Sequence, residues 1–147
     1  MSSPGPHPEP PADFANRNPL IHETSLPWFR IYRTDLDPMY FGRTQRNRFD
    51  APNGEYGVLY AAESEACAFI ETFGQSTGTN LVTTSSLTTA GLAVIQANRN
   101  LKLVDLASTG GLGRIGADGR LCSGEHKIAQ RWSKAIKEHP SSPDGIY

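Results

Sequence analysis

Between Arg48 and Glu71 the chain reads RFDAPNGEYGVLYAAESEACAFIE, a run of basic, aromatic and acidic side chains set on a turn, a strand and a helix. Just upstream, Arg43 and Arg46 stand with Arg48 among Tyr40, Phe41 and Phe49. Arginine carries a permanent charge on a planar fork that binds phosphate oxygens in pairs, and an aromatic ring offers its face to a base. This mixture suits one compact phosphate-bearing ligand. It equally suits single-stranded nucleic acid, or a plain loop of solvated arginines. Tyr60 and Glu71 add a ring and a carboxylate to the run, which we read as the active-site segment.

The elements that must position these groups follow from local chemistry. Pro52, Asn53 and Gly54 specify a turn, and Val58, Leu59 and Tyr60 suit a half-buried strand over 57–61. Ser64 is placed to cap a helix in which Ala66, Phe69, Ile70 and Phe73 fall at i, i+3, i+4 and i+7, with Glu71 to the side of that core-facing stripe. WFRIYR predicts a strand from Trp28, with Trp28, Arg30 and Tyr32 on one face and Phe29 and Ile31 on the other. Taken alone it reads as an edge strand with solvated arginines, followed by a turn through 35–38. Residues 92–95 and 101–106 predict two more strands. Ile128, Trp132, Ala135 and Ile136 mark an amphipathic helix with His126 in its first turn. The polar stretch 74–91 reads as exposed strands or a long surface loop. Gly111, Gly113 and Gly116 match G-x-G-x-x-G, but Asp118 and Gly119 turn the chain where a helix should run, so the glycines read as a flexible, lid-like loop rather than a dinucleotide fold.

At 147 residues the chain holds one ordinary domain and not two separate sizeable cores. A formal net charge of -1 gives no bulk attraction to nucleic acid or to an anionic membrane, so any anion binding must be local. Cys67 and Cys122 form neither a metal-ligand spacing nor a disulfide framework, which predicts two reduced thiols in a cytoplasmic protein. The four histidines are scattered, without a zinc pattern. No apolar run approaches the roughly 20 residues of a membrane span, and no signal peptide is recognisable. Seven of the eleven prolines lie within residues 1–27, which reads as a disordered or extended arm, a solvated tail without chemistry. The terminal PDGIY reads as a strand that stops at once, and thus as the end of a fragment.

WFRIY, NRFDAP, GVLYAAES, AFIET, LKLVDL and DGIY, in that order and spacing, resemble a RES domain. The resemblance covers 28–147, which it marks as a RES-like domain incomplete at its C-terminus. It implies an α+β fold of ADP-ribosyltransferase-like type, a single domain with a twisted sheet and flanking helices. It further implies consumption of NAD as a substrate, with no cofactor and no metal, by the cytoplasmic toxin of a bacterial toxin and antitoxin pair. NAD and a cognate, DNA-binding antitoxin are the partners it implies, with no direct nucleic-acid or membrane partner; self-association stays open. The family's first arginine falls on Arg30, with Arg33 as the competing register, the second on Arg48, its tyrosine on Tyr60 and its glutamate on Glu71. The family's serine lies beyond Tyr147, and Ser123 sits in a different motif.

On that resemblance the chemistry is coherent. Loss of nicotinamide from its ribose builds an oxocarbenium-like sugar, near which an enzyme should place negative charge. Glu71 would supply it. Arg30 and Arg48 would hold the pyrophosphate and ribose, while Tyr60 and Tyr32 would line the nicotinamide pocket. Water, phosphate or a protein remain alternative acceptors, and a non-catalytic nucleotide or nucleic-acid binding module is the rival of another class. Read without the family, Tyr60 is a packed strand residue, Glu71 one surface glutamate like Glu63 and Glu65, and Arg48 a partner for Asp50.

Overall fold

The computed structural model describes residues 5–74 and 82–147, and they form an α+β chain. After a turn of 3-10 helix (Phe14–Asn16) come β1 (Ile21–Thr24), β2 (Trp28–Arg33), α1 (Glu65–Phe73), α2 (Thr84–Thr88), β3 (Ala90–Ile95) and β4 (Leu101–Val104). The chain continues with α3 (Gly111–Arg114), α4 (Arg120–Ser123), α5 (His126–Lys137) and β5 (Gly145–Ile146). They fall into two compact units, one of Met1–Thr24, Gly42–Val58 and Asn100–Tyr147, the other of Ser25–Phe41 and Leu59–Arg99.

The first unit is organised by α5. Its apolar stripe places Ile128, Trp132 and Ile136 in a core with Phe14, Val104, Leu106, Ile115 and Leu121. Burying each large side chain of this kind contributes roughly 1.5–3 kcal/mol. Beside this core, β4 is the central strand of the order β1-β4-β5, antiparallel to β1 with Ile21 opposite Val104 and parallel to β5 with Val104 opposite Ile146. β1 was not expected, and the proline-rich arm that contains it is not a solvated tail. Trp132 is wholly buried and its indole N–H donates to the Pro8 carbonyl at 2.8 Å, while the rings of His7 and Phe14 meet Trp132 edge-on at 5.1 and 5.8 Å. Asp118 donates its amide N–H to His7 Nε2, Arg120 donates to the Gly5 and Pro6 carbonyls, and Arg131 pairs with Glu9. Composition overlooks this because the arm is held by its own carbonyls and by two rings, His7 and Phe14, rather than by an apolar run.

The glycine motif is likewise packed rather than lid-like. Gly110, at φ +84°, opens α3; Gly111 is buried, and a Cβ on it would stand 2.1 Å from the Asp105 carbonyl oxygen. Ile115, inside the motif, is fully buried.

The second unit pairs β2 antiparallel with β3, Trp28 opposite Ile95 and Arg33 opposite Ala90, and packs α1 against β2. Ser64 caps α1 as expected, its Oγ accepting from the Cys67 N–H at 3.1 Å. The expected stripe does not form its core face: Phe69 and Ile70 are 43% and 62% exposed, and Ala68 is the buried residue. Periodicity identified an apolar face, whereas close approach to β2 selected the small residue beside it. The expected strand over 57–61 reduces to isolated bridges, because Val58 pairs with Gly42 and Ala62 with Phe29, two partners that share no ladder. Within the polar stretch, Thr84–Thr88 is helical, with the Thr83 hydroxyl accepting from the Ser86 N–H at 3.2 Å; residues 75–81 lie outside the described residues.

Candidate active site

Four of the expected residues belong to the second unit together with the competing arginine. β2 carries Arg30 and Tyr32 on one face and Arg33 on the other. Arg30 is half-buried, and its Nη1 donates to the Pro38 carbonyl at 2.9 Å and to the Tyr40 carbonyl at 3.0 Å. Burial lowers its pKa from the usual value, but a guanidinium remains charged in proteins. No described group bonds its Nε or Nη2, so the remaining edge of the fork is presented with its charge unneutralised. Arg33 differs, being exposed and paired with the Asp35 carboxylate at 2.9 Å. Of the two registers, Arg30 is therefore the one whose cation is anchored by carbonyls and has no ion pair among the described residues.

Tyr32 lies opposite Gly91 in β3, and a Cβ on Gly91 would stand 2.9 Å from the ring's Cε1, so the missing side chain makes room for the tyrosine. Tyr60 precedes by two residues the Ala62 bridge to Phe29, next to Arg30 in sequence, and is 41% exposed. Glu71 sits in the last turns of α1, exposed, with no hydrogen bond or ion pair among the described residues.

Arg48 belongs to the first unit and does not pair with Asp50. Its Nη1 donates to the Leu121 carbonyl at 3.2 Å and the Gly124 carbonyl at 2.7 Å, capping oxygens that the short α4 leaves without helical partners. Its Nε and Nη2 have no partner among the described residues. The buried Asp50 instead accepts from the Thr44 hydroxyl and the Asn47 N–H, both at 3.2 Å, and so ties the preceding loop. Gly54 closes the expected turn at φ +70°, its N–H reaching the Ala51 carbonyl at 3.3 Å. Ser123 Oγ donates to the Gly119 carbonyl at 3.2 Å. Gln130 and Ser133, which bond the loop around Arg48, were not singled out from sequence; polar residues at i and i+3 on the back of α5 were the available signal.

A recess of about 270 Å³ lined by Glu55, Tyr56, Lys134, Lys137 and Glu138 contains none of these residues. Its charges face each other, with Lys134 3.8 Å from Glu55 and Lys137 over the Tyr56 ring, so the chemistry and not the concavity marks the candidate site. Among the described residues no group of three His, Cys, Asp or Glu could hold a metal ion, no helix is long and apolar enough to cross a membrane, and both cysteines are free and exposed.

The fold and side chains define an α+β protein in which Arg30 and Arg48 are each anchored by two main-chain carbonyls, Arg43 by the Gly54 carbonyl alone, and Glu71 has no ion pair among the described residues. The family model of the RES domain matches residues 27–147, more than four-fifths of the chain, and the chain belongs to that family. No curated protein and no solved structure matches it.

Proposed function

We propose that this chain degrades NAD by breaking the bond between nicotinamide and ribose, as the cytoplasmic toxin of a bacterial toxin and antitoxin pair whose DNA-binding antitoxin holds it in check. The observation that carries the reading is the pairing pattern of the family residues. Arg30 and Arg48 are held by carbonyls, which fix a guanidinium without neutralising it, and Glu71 has no cationic partner among the described residues.

In this mechanism the C1′–N bond of the nicotinamide riboside breaks with its electron pair going to the ring nitrogen, so nicotinamide leaves neutral and needs no protonation. Positive charge develops on the ribose, where the Glu71 carboxylate stabilises it and accepts a hydrogen bond from a sugar hydroxyl. Arg30 and Arg48 grip phosphate oxygens through their open edges. Tyr60 and Tyr32 give the nicotinamide an aromatic wall. An acceptor oxygen, from water or phosphate, then bonds C1′ and releases its proton to solvent.

The test is nicotinamide release from NAD by the purified chain, with and without phosphate, beside Glu71→Ala. Release that needs Glu71 supports hydrolysis, and a phosphate requirement selects phosphorolysis. A mass increase on a protein target would move the reading to ADP-ribosyl transfer. Binding of a nucleotide with no release and no transfer would refute catalysis and leave a binding module.

A further inference from the structure

The loop that carries Arg48 is held from beneath by one face of α5. His126, Gln130 and Ser133 stand at i, i+4 and i+7, a spacing that aligns them along a single helix face. His126 Nδ1 donates to the Arg46 carbonyl at 3.0 Å. Gln130 Nε2 donates to the Gln45 carbonyl at 3.0 Å and the Asn47 carbonyl at 2.9 Å. Ser133 Oγ donates to the Phe49 carbonyl at 2.7 Å, which makes the Tyr56 hydroxyl the donor in its own 2.7 Å bond to Ser133. Three side chains therefore hold the carbonyls of residues 45, 46, 47 and 49, and Arg48 projects from the middle of the clamped segment.

A second observation points the same way. Gln45 has φ +63°, a left-handed conformation that a non-glycine residue keeps only where its surroundings hold it. One of its holders is Gln130, which is buried. The donors thus fix a locally unfavourable backbone, as a loop requires when it must aim one side chain.

We infer that the His126, Gln130 and Ser133 face of α5 positions Arg48 for its ligand, with Gln130 as the central positioning residue. This rests on the reading of Arg48 as a ligand of the NAD pyrophosphate. Gln130 touches no substrate; it restricts the loop so that the open edge of Arg48 is pre-organised and less order has to be imposed on binding.

The experiment is a double-mutant cycle on the full chain, with ADP-ribose as the calorimetric probe and NAD turnover as the second readout. Gln130→Met keeps length and bulk and removes both donors. It should weaken ADP-ribose about tenfold, within the range set by losing net hydrogen bonds, and raise the NAD KM to match while kcat stays within about twofold. In an Arg48→Met background the same substitution should change affinity less than about twofold. Equal losses in both backgrounds, or an unchanged affinity in Gln130→Met alone, would overturn the inference. If Gln130→Met fails to fold, His126→Leu at an exposed position replaces it, with about a threefold loss expected that likewise disappears without Arg48. Failure of the underlying reading is separately visible: wild-type protein would not bind ADP-ribose, or Arg48→Met would bind it as well as wild type.

Discussion

Replacing Glu71 by glutamine separates the catalytic reading from the view of Glu71 as one more surface carboxylate. The side chain keeps its shape and loses its charge. In the folded chain that charge makes no hydrogen bond or ion pair among the described residues, so no stabilising contact is lost. It also lies near the C-terminal end of α1, which has no basic residue in its last turn, and a carboxylate there opposes the helix dipole. Neutralising it should add about 0.3 kcal/mol or slightly more, an upward melting shift of about 1 °C. Turnover should move the other way. On the proposed mechanism, removing this charge should lower kcat by roughly 10²–10³, the usual scale for one preorganised electrostatic group. Nicotinamide release at saturating NAD and a thermal melt on the same preparation give both numbers, with Glu63→Gln as the comparison. Turnover of Glu71→Gln within about threefold of wild type would refute the role assigned to it; so would a melting temperature several degrees lower, because the lost activity would then report unfolding.

Three further outcomes follow from the packing. Trp132→Phe removes the donor to the Pro8 carbonyl and leaves a void, and should destabilise the chain by about 3 kcal/mol, with the proline-rich arm becoming the first site of limited proteolysis; an unchanged melt and cleavage pattern would contradict the packed arm. Asp105 is pushed up by burial and pulled further down by the Ser108 hydroxyl, the Ser108 N–H at 2.8 Å and the Ala107 N–H at 2.9 Å, for a net lowering of its pKa. Its contribution is therefore present above the unfolded-state value of about 3.9 and is lost as pH falls through the lower folded value. The melting temperature of Asp105→Asn should accordingly fall less steeply with acidification over that window, and parallel curves would disprove the assignment. Gly91→Ala brings a Cβ within 2.9 Å of the Tyr32 ring and should destabilise by about 1–3 kcal/mol, or displace the ring in a crystal structure; a neutral melt with Tyr32 in place would show that β3 tolerates the bulk.

The elements legible in sequence were those whose own period or cap decides them. The Trp28–Arg33 alternation gave β2, the i, i+4, i+8 pattern through Ile128, Trp132 and Ile136 gave α5, and Ser64 gave the start of α1. β1 was not legible because four residues between Pro19 and Pro27 carry no period, and pairing with β4, some eighty residues away, is what makes them a strand. The buried face of α1 was misassigned because periodicity says which side is apolar but not what approaches it. For the candidate site, residue types suggested ligands, yet Arg30 and Arg48 are held by main-chain carbonyls, and the side chains that hold the 45–49 loop grip it by its own carbonyls. Every residue has one, so no pattern of side chains announces them.

That choice of partner is itself a physical criterion for sorting the arginines. Arg17 with Asp13, Arg33 with Asp35, Arg120 with Asp118 and Arg131 with Glu9 are ion pairs whose charges cancel locally. Arg30 and Arg48 are bound as firmly, two carbonyls to one nitrogen, but a carbonyl contributes only a dipole, and each site keeps its positive charge. The anchored nitrogen also fixes the plane and leaves Nε and Nη2, which bond no described group, side by side; on the proposed reading that edge takes two oxygens of a phosphate. Lysine cannot imitate this arrangement, since its ammonium has no second edge to offer once it donates to the carbonyls. Arg30→Lys and Arg48→Lys should therefore bind ADP-ribose nearly as poorly as the corresponding methionine variants. Recovery of wild-type affinity by lysine at either position would mean that charge alone suffices there and that the anchored fork has no part in recognition.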